Sequence, residues 1–98
     1  MVKYPTFNQI FNIKMTNEQI EKFLYPNHIG KQQVKINFKN RNPIIGLFIE
    51  LQDAQELKQK NYWRVVTEKN IDTWKKSKDM NLVKIFNGVE FTKLAIAS

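Results

Sequence analysis

The clearest pattern in the chain is the alternation of apolar and polar residues from Gln32 to Lys39. Val34, Ile36 and Phe38 are apolar, and the residues between them are polar. A period of two is typical of a strand with one buried face, because successive side chains point to opposite sides of a sheet. This segment therefore predicts a half-buried strand.

A helix is predicted just before this strand. Thr16 and Gln19 have the spacing of a capping box, in which each side chain accepts a hydrogen bond from the backbone amide of the other residue. Ile20 and Leu24 follow on one helical face. Tyr25 precedes a proline, and that position disfavours helical backbone, so we expect the helix to end there.

Four more strands are predicted from short runs rich in β-branched and aromatic residues. They cover residues 44–51, 62–66, 82–86 and 89–95. Residues 53–60 are polar and fit either a loop or one helical turn, and Asn70 is a candidate cap for a short helix through Trp74 and Lys76. Asn87 and Gly88 separate the last two strands, and this dipeptide is a strong signal for a type I′ hairpin.

The order of a helix followed by five short strands predicts a mainly β fold with an N-terminal helix. Gly46 lies inside the second strand, where a glycine often marks a bulge or a sharp bend. Such a bend is needed to close a small, strongly bent, five-stranded antiparallel barrel. We expect residues 16–98 to form this single domain and residues 1–15 to form an N-terminal arm.

This order resembles the Sm-like family, which includes the bacterial Sm-like RNA chaperone. The family has an N-terminal helix and a five-stranded bent barrel. Its first motif is matched by Val34, Ile36, Phe38, Gly46, Phe48 and Asp53. Its second motif is matched by residues 85–91, and the resemblance extends over residues 16–96. It implies that the chain binds RNA.

The chain departs from the family at the positions that clamp a base. Residues 54–57 contain no asparagine where the family usually has one, and Asn87 replaces the arginine of the second motif. An SH3-like barrel shows the same alternation of apolar and polar residues, so both small-barrel folds remain open.

The composition favours an anionic partner. The chain has 98 residues, enough for one domain, and 16 basic against 9 acidic residues give a formal net charge of +7. Solubility, or the amino-acid usage of an AT-rich genome, is an alternative explanation of the many lysines.

The sequence offers little for catalysis or membrane insertion. It has no cysteine and a single histidine, so we expect no disulfide, no metal site, no cofactor and a cytoplasmic protein that is not an enzyme. No apolar run is long enough to predict a membrane-spanning helix.

The first candidate binding segment contains Lys31, Lys35, Lys39 and Arg41 and has no acidic residue. On a strand, Lys35 and Lys39 point to the same outward face, and such a row is suited to contact with phosphates. The alternative is an edge strand that uses lysine to prevent pairing with another chain.

Further candidates for nucleic-acid contact lie later in the chain. Arg64 follows two aromatic residues that point to opposite faces of a strand, so at most one of them is exposed. Lys75 and Lys76 follow Trp74, which we also consider as a plug for the end of the barrel. Asn87 is included because it lies in the second motif.

The N-terminal arm supports a second hypothesis. Its apolar residues exceed what a small core needs, and exposed apolar patches often mark interfaces. The candidate interface residues are Tyr4, Phe7, Ile10 and Phe11. The sequence thus predicts a binding protein for single-stranded RNA, with a module for self-association or for another protein as the alternative.

Overall fold

A computed structural model describes residues 15–25 and 28–97 of the chain. Its helices are α1 (Asn17–Leu24), α2 (Ala54–Gln59) and α3 (Ile71–Ser77). Its strands are β1 (Gln33–Phe38), β2 (Ile44–Ile49), β3 (Tyr62–Thr67), β4 (Val83–Asn87) and β5 (Phe91–Ile96). The segment left open between a loop and a helical turn is thus α2. All but one residue of the predicted arm lies outside the described residues.

The capping box predicted for α1 is confirmed. The Thr16 hydroxyl accepts the Gln19 amide at 3.1 Å, and the Gln19 side chain accepts the Thr16 amide at 3.0 Å. Ile20 and Leu24 are fully buried on one face of the helix. The helix ends before Tyr25, as the following proline predicts.

The five strands form one antiparallel sheet in the order β4-β3-β2-β1-β5. The mainly β prediction is confirmed. Strand β1 lies between β2 and β5, so the alternative that made it an edge strand is wrong. The open edges are β4 and β5, which are not paired with each other within residues 15–25 and 28–97.

The predicted Asn-Gly hairpin is wrong. Asn87 has φ −88°, and its side chain accepts the Val89 amide at 3.1 Å, which caps a 3-10 turn over Gly88–Glu90. This turn sends β5 across to pair with β1, where Leu94 lies opposite Ile36. Burial of these apolar residues therefore determines the partner of β5, against the local preference of the turn.

The main core lies on the inner face of the sheet, under α1. Its buried members are Ile20, Leu24, Val34, Ile36, Phe48, Trp63, Val65, Phe91 and Leu94. Phe48 makes edge-to-face contacts with Phe91 and Trp63, with ring centroids 6.2 and 6.3 Å apart. Val34 and Ile36 of β1 are thus buried as predicted, and Phe38 is half-buried.

A second cluster lies on the opposite face of the sheet, which we call the outer face. Ile71 and Trp74 of α3 pack there against Leu47 and Val66. Trp74 therefore does not plug the end of a barrel. The short helix is present as predicted, although the Asn70 side chain makes no capping hydrogen bond.

The sheet is strongly curved. Phe38 in β1 and Phe86 in β4 have ring centroids 5.9 Å apart, although two strands separate them in the sheet. In a flat sheet three strand spacings would amount to about 14 Å. The β1–β5 register shifts after Asn37. Asn37 pairs with Lys93 and Phe38 with Phe91, so the extra residue of the bulge is Thr92 in β5. No bulge occurs at Gly46, whose pairing is uninterrupted.

Candidate nucleic-acid interface

Lys35 projects from the outer face of the sheet, the face that carries α3. Its neighbours Val34 and Ile36 are fully buried in the main core, so Lys35 points to the opposite side. Its cross-strand partners are Ile45 in β2 and Ala95 in β5. The ammonium group is therefore flanked by uncharged side chains and is open to solvent.

Lys93 adds a second cation to this face. It pairs with Asn37, which lies two residues from Lys35 on the same side of β1. Such diagonal neighbours are about 7 Å apart. Among the described residues, neither lysine has a carboxylate within ion-pair distance. Sequence reasoning missed Lys93, although its polar position within an apolar run could have identified it.

Helix α3 brings more lysines to the same face. Lys75 and Lys76 lie in its last turn, and Lys78 ends the helix in a left-handed conformation with φ 55°. The Lys78 amide donates to the Trp74 carbonyl at 2.8 Å, and its ammonium lies 5.2 Å from the centroid of the Trp74 ring. All three lysines are exposed. Packing of Trp74 on the sheet therefore fixes where this basic cluster lies.

A groove with a volume of about 330 Å³ lies between α3 and the turn before β1. Its lining residues are Ile29, Gly30, Leu47, Ile49, Glu50, Trp74, Lys75 and Lys78. Among the described residues that line it, four are large and apolar and Glu50 is the only carboxylate. Lys31 directly follows Gly30 and is exposed. Lys76 is exposed but is not one of the residues that line the groove. We call Lys31, Lys35, Lys75, Lys78 and Lys93 the lysine face.

Lys39 and Arg41 lie apart from this group. Strand β1 ends at Phe38, so the alternation that places Lys35 outward does not extend to Lys39. The Lys39 amide donates to the Glu90 carbonyl at 3.1 Å. Arg41 is exposed and lies over the Phe38 ring. These two cations belong to the loop that leaves β1.

Arg64 forms an ion pair with Asp53. Its guanidinium donates two hydrogen bonds to the Asp53 carboxylate, one of them 3.0 Å long. This contact lowers the pKa of Asp53 and raises that of Arg64. Of the two aromatic residues before it, Trp63 is buried and Tyr62 is 38% exposed, as predicted. The side-chain oxygen of Asn87 is also occupied, because it accepts the Val89 amide and caps the turn after β4.

The sequence did not indicate the cluster around Lys58, whose side chain is only 12% exposed. Its ammonium lies 3.5 Å from Glu21, 3.6 Å from Glu50 and 3.2 Å from the Tyr25 hydroxyl, which itself donates to Glu50. Burial, and then the bond to Glu50, raise the pKa of Tyr25. Burial lowers the pKa of Lys58, but Tyr25 and the two carboxylates outweigh it, so the net shift is upward.

This cluster joins α1, the end of β2 and α2, which are far apart in sequence. Only their packing brings the four side chains together, so no local motif reveals them. Glu50 also lines the groove, and its carboxylate contacts Tyr25 and Lys58.

Among the described residues, no group of histidine and carboxylate side chains is arranged to hold a metal ion. No helix in residues 15–25 and 28–97 has the length and apolar character to cross a membrane. The candidate interface residues Tyr4, Phe7, Ile10 and Phe11 lie outside the described residues.

Comparison of the chain with family models, with characterised proteins and with solved structures finds no significant match.

Proposed function

We propose that this chain is a non-enzymatic protein that binds single-stranded RNA through its lysine face. The observation that carries the proposal is the position of Lys35 on an interior strand. A lysine on an edge strand is explained by the need to block pairing with other chains. Strand β1 is already paired on both sides, so that explanation does not apply to Lys35.

The convergence of separate segments supports the same proposal. Lysines from β1, from α3 and from β5 lie on the outer face of the sheet, and Lys31 is exposed in the turn that borders the groove. Concentrated positive charge of this kind attracts a phosphate backbone, and each contact releases a counterion. Ile29, Leu47 and Ile49 give the groove an apolar wall that bases can contact.

The family resemblance points in the same direction. A helix followed by five strands and the approach of Phe38 to Phe86 support a bent, barrel-like fold of the Sm-like or SH3-like kind. We include this fold in the proposal, together with a cytoplasmic location. The Sm-like base-clamping positions are altered in this chain, so the proposal depends on the lysine face and not on that pocket.

A salt series with charge-reversal variants tests the proposal. Lys35→Glu combined with Lys75→Glu removes two proposed phosphate contacts. Binding of labelled uridylate and adenylate oligomers is measured by fluorescence anisotropy. Each lost contact should reduce the slope of log affinity against log salt by about 0.7, and affinity at low salt should fall steeply.

The matched control is Lys22→Glu combined with Lys60→Glu. It changes the net charge by the same amount at exposed positions, and Lys22 lies on α1, which covers the inner face of the sheet. The control should lose much less affinity than the lysine-face variant. Equal losses in both variants would show a general charge effect and contradict a specific surface.

A second candidate function is assembly with another copy or another protein. It is favoured by exposed isoleucines on both open edges of the sheet, Ile85 in β4 at 53% and Ile96 in β5 at 43%. Unpaired edge strands are templates for pairing with another chain. The apolar arm residues remain part of this proposal. Measurement of the molecular mass, with and without residues 1–13, tests it.

A further inference from the structure

The Arg41 guanidinium lies over two aromatic rings. Its guanidinium carbon lies 4.9 Å from the centroid of the Phe38 ring and 6.0 Å from that of Phe86. The two rings are tilted at 45° to each other and come from strands that meet only because the sheet curves. The curvature therefore builds a platform of two rings capped by one cation.

The surroundings of Arg41 are basic. The segment from Lys31 to Ile49 contains no carboxylate, and Lys39 lies in the same exposed loop. Lys84 is exposed and precedes Phe86 by two residues in β4, on the same side of that strand. The Lys39 amide donates to the carbonyl of Glu90, which brings one acidic residue beside this loop. Within the described residues, no carboxylate pairs with Arg41.

We infer that the exposed face of the Arg41 guanidinium binds one unpaired base of the RNA by stacking. A guanidinium is planar and stacks on aromatic systems with either face, and unpaired bases commonly stack on arginine. One side of Arg41 is covered by the two phenylalanines, which leaves the other side for a base. Lys39 and Lys84 then lie where they can contact the adjoining phosphates. The inference rests on the proposed function and adds a base-binding position to it.

The test compares two probes and three variants. The probes are a uridylate oligomer and an abasic oligomer of the same length, which keeps the phosphates but has nothing to stack. Arg41→Lys keeps the charge and removes the planar group. It should bind the uridylate oligomer about fivefold to tenfold more weakly than the unaltered chain and bind the abasic oligomer equally well. Arg41→Ala should weaken both, and the control Lys22→Ala should weaken both much less.

The outcomes separate this inference from the proposed function. If Arg41→Lys binds both probes as the unaltered chain does, or loses affinity for both equally, Arg41 does not stack on a base, while RNA binding by the lysine face stands. If the unaltered chain fails to bind either probe at low salt, both proposals are wrong. Unchanged affinity of Arg41→Lys for the abasic probe also shows that the variant is folded.

Discussion

Gly46 in β2 packs so closely against Val65 in β3 that a β-carbon at position 46 would overlap the Val65 side chain and press on the Val66 carbonyl. Both positions lie in the buried part of the sheet. Glycine is therefore needed at position 46 for close approach of the two strands, since no bulge occurs there.

We expect Gly46→Ala to lower the free energy of unfolding by about 1 to 3 kcal/mol, because an extra methyl group in a packed core forces neighbouring atoms to move. Chemical denaturation measures this loss. In the double variant with Val65→Ala, the total loss should be smaller than the sum of the two single losses. Additive losses would show that the strain arises elsewhere.

Lys58 links α1, β2 and α2 through its ammonium group. Lys58→Met keeps most of the apolar stem and removes the charge, which leaves Tyr25 and the carboxylates without their cation. The free energy of unfolding should fall by about 1 to 2 kcal/mol, as expected for hydrogen bonds to a charged group. The exposed Lys60 provides a control, and Lys60→Met should change stability by less than about 0.5 kcal/mol. Equal effects would mean that the cluster contributes nothing specific.

The ion pair between Arg64 and Asp53 makes the stability of the folded chain depend on pH. Arg64 lowers the pKa of Asp53 below its ordinary value of 3.8. The pair therefore stabilises the folded chain above that value, and the stabilisation is lost as the pH falls through the lowered pKa. Asp53→Asn should have a lower melting temperature than the unaltered chain at neutral pH. The difference should vanish in strong acid, and a difference that persists there would have another cause.

Much of the fold can be predicted from local patterns in the sequence. The alternation around Val34 and Ile36 identifies β1 and its buried face, and the capping box at Thr16 identifies the start of α1. The pairing of β5 with β1 cannot be predicted in this way. Asn87 and Gly88 favour a hairpin locally, but the burial of Leu94 opposite Ile36 depends on residues more than 50 positions apart.

The candidate site was predictable only in part. The run of basic residues around Lys35 is visible in the sequence, and so is the cluster beside Trp74. Their presence on one face follows from the packing of α3 on the outer face of the sheet, which no local pattern specifies. Conversely, Arg64 is a candidate in the sequence, but the structure pairs it with Asp53.

The most direct test of the lysine face is to map chemical-shift changes of backbone amides by NMR as single-stranded RNA is added. Binding there should shift the amides of Lys35, Lys75 and Lys93 together, although they come from three separate segments. The amide of Lys22, on the helix that covers the inner face, should stay unchanged. Shifts confined to α1, or no shifts at low salt, would contradict the proposed surface.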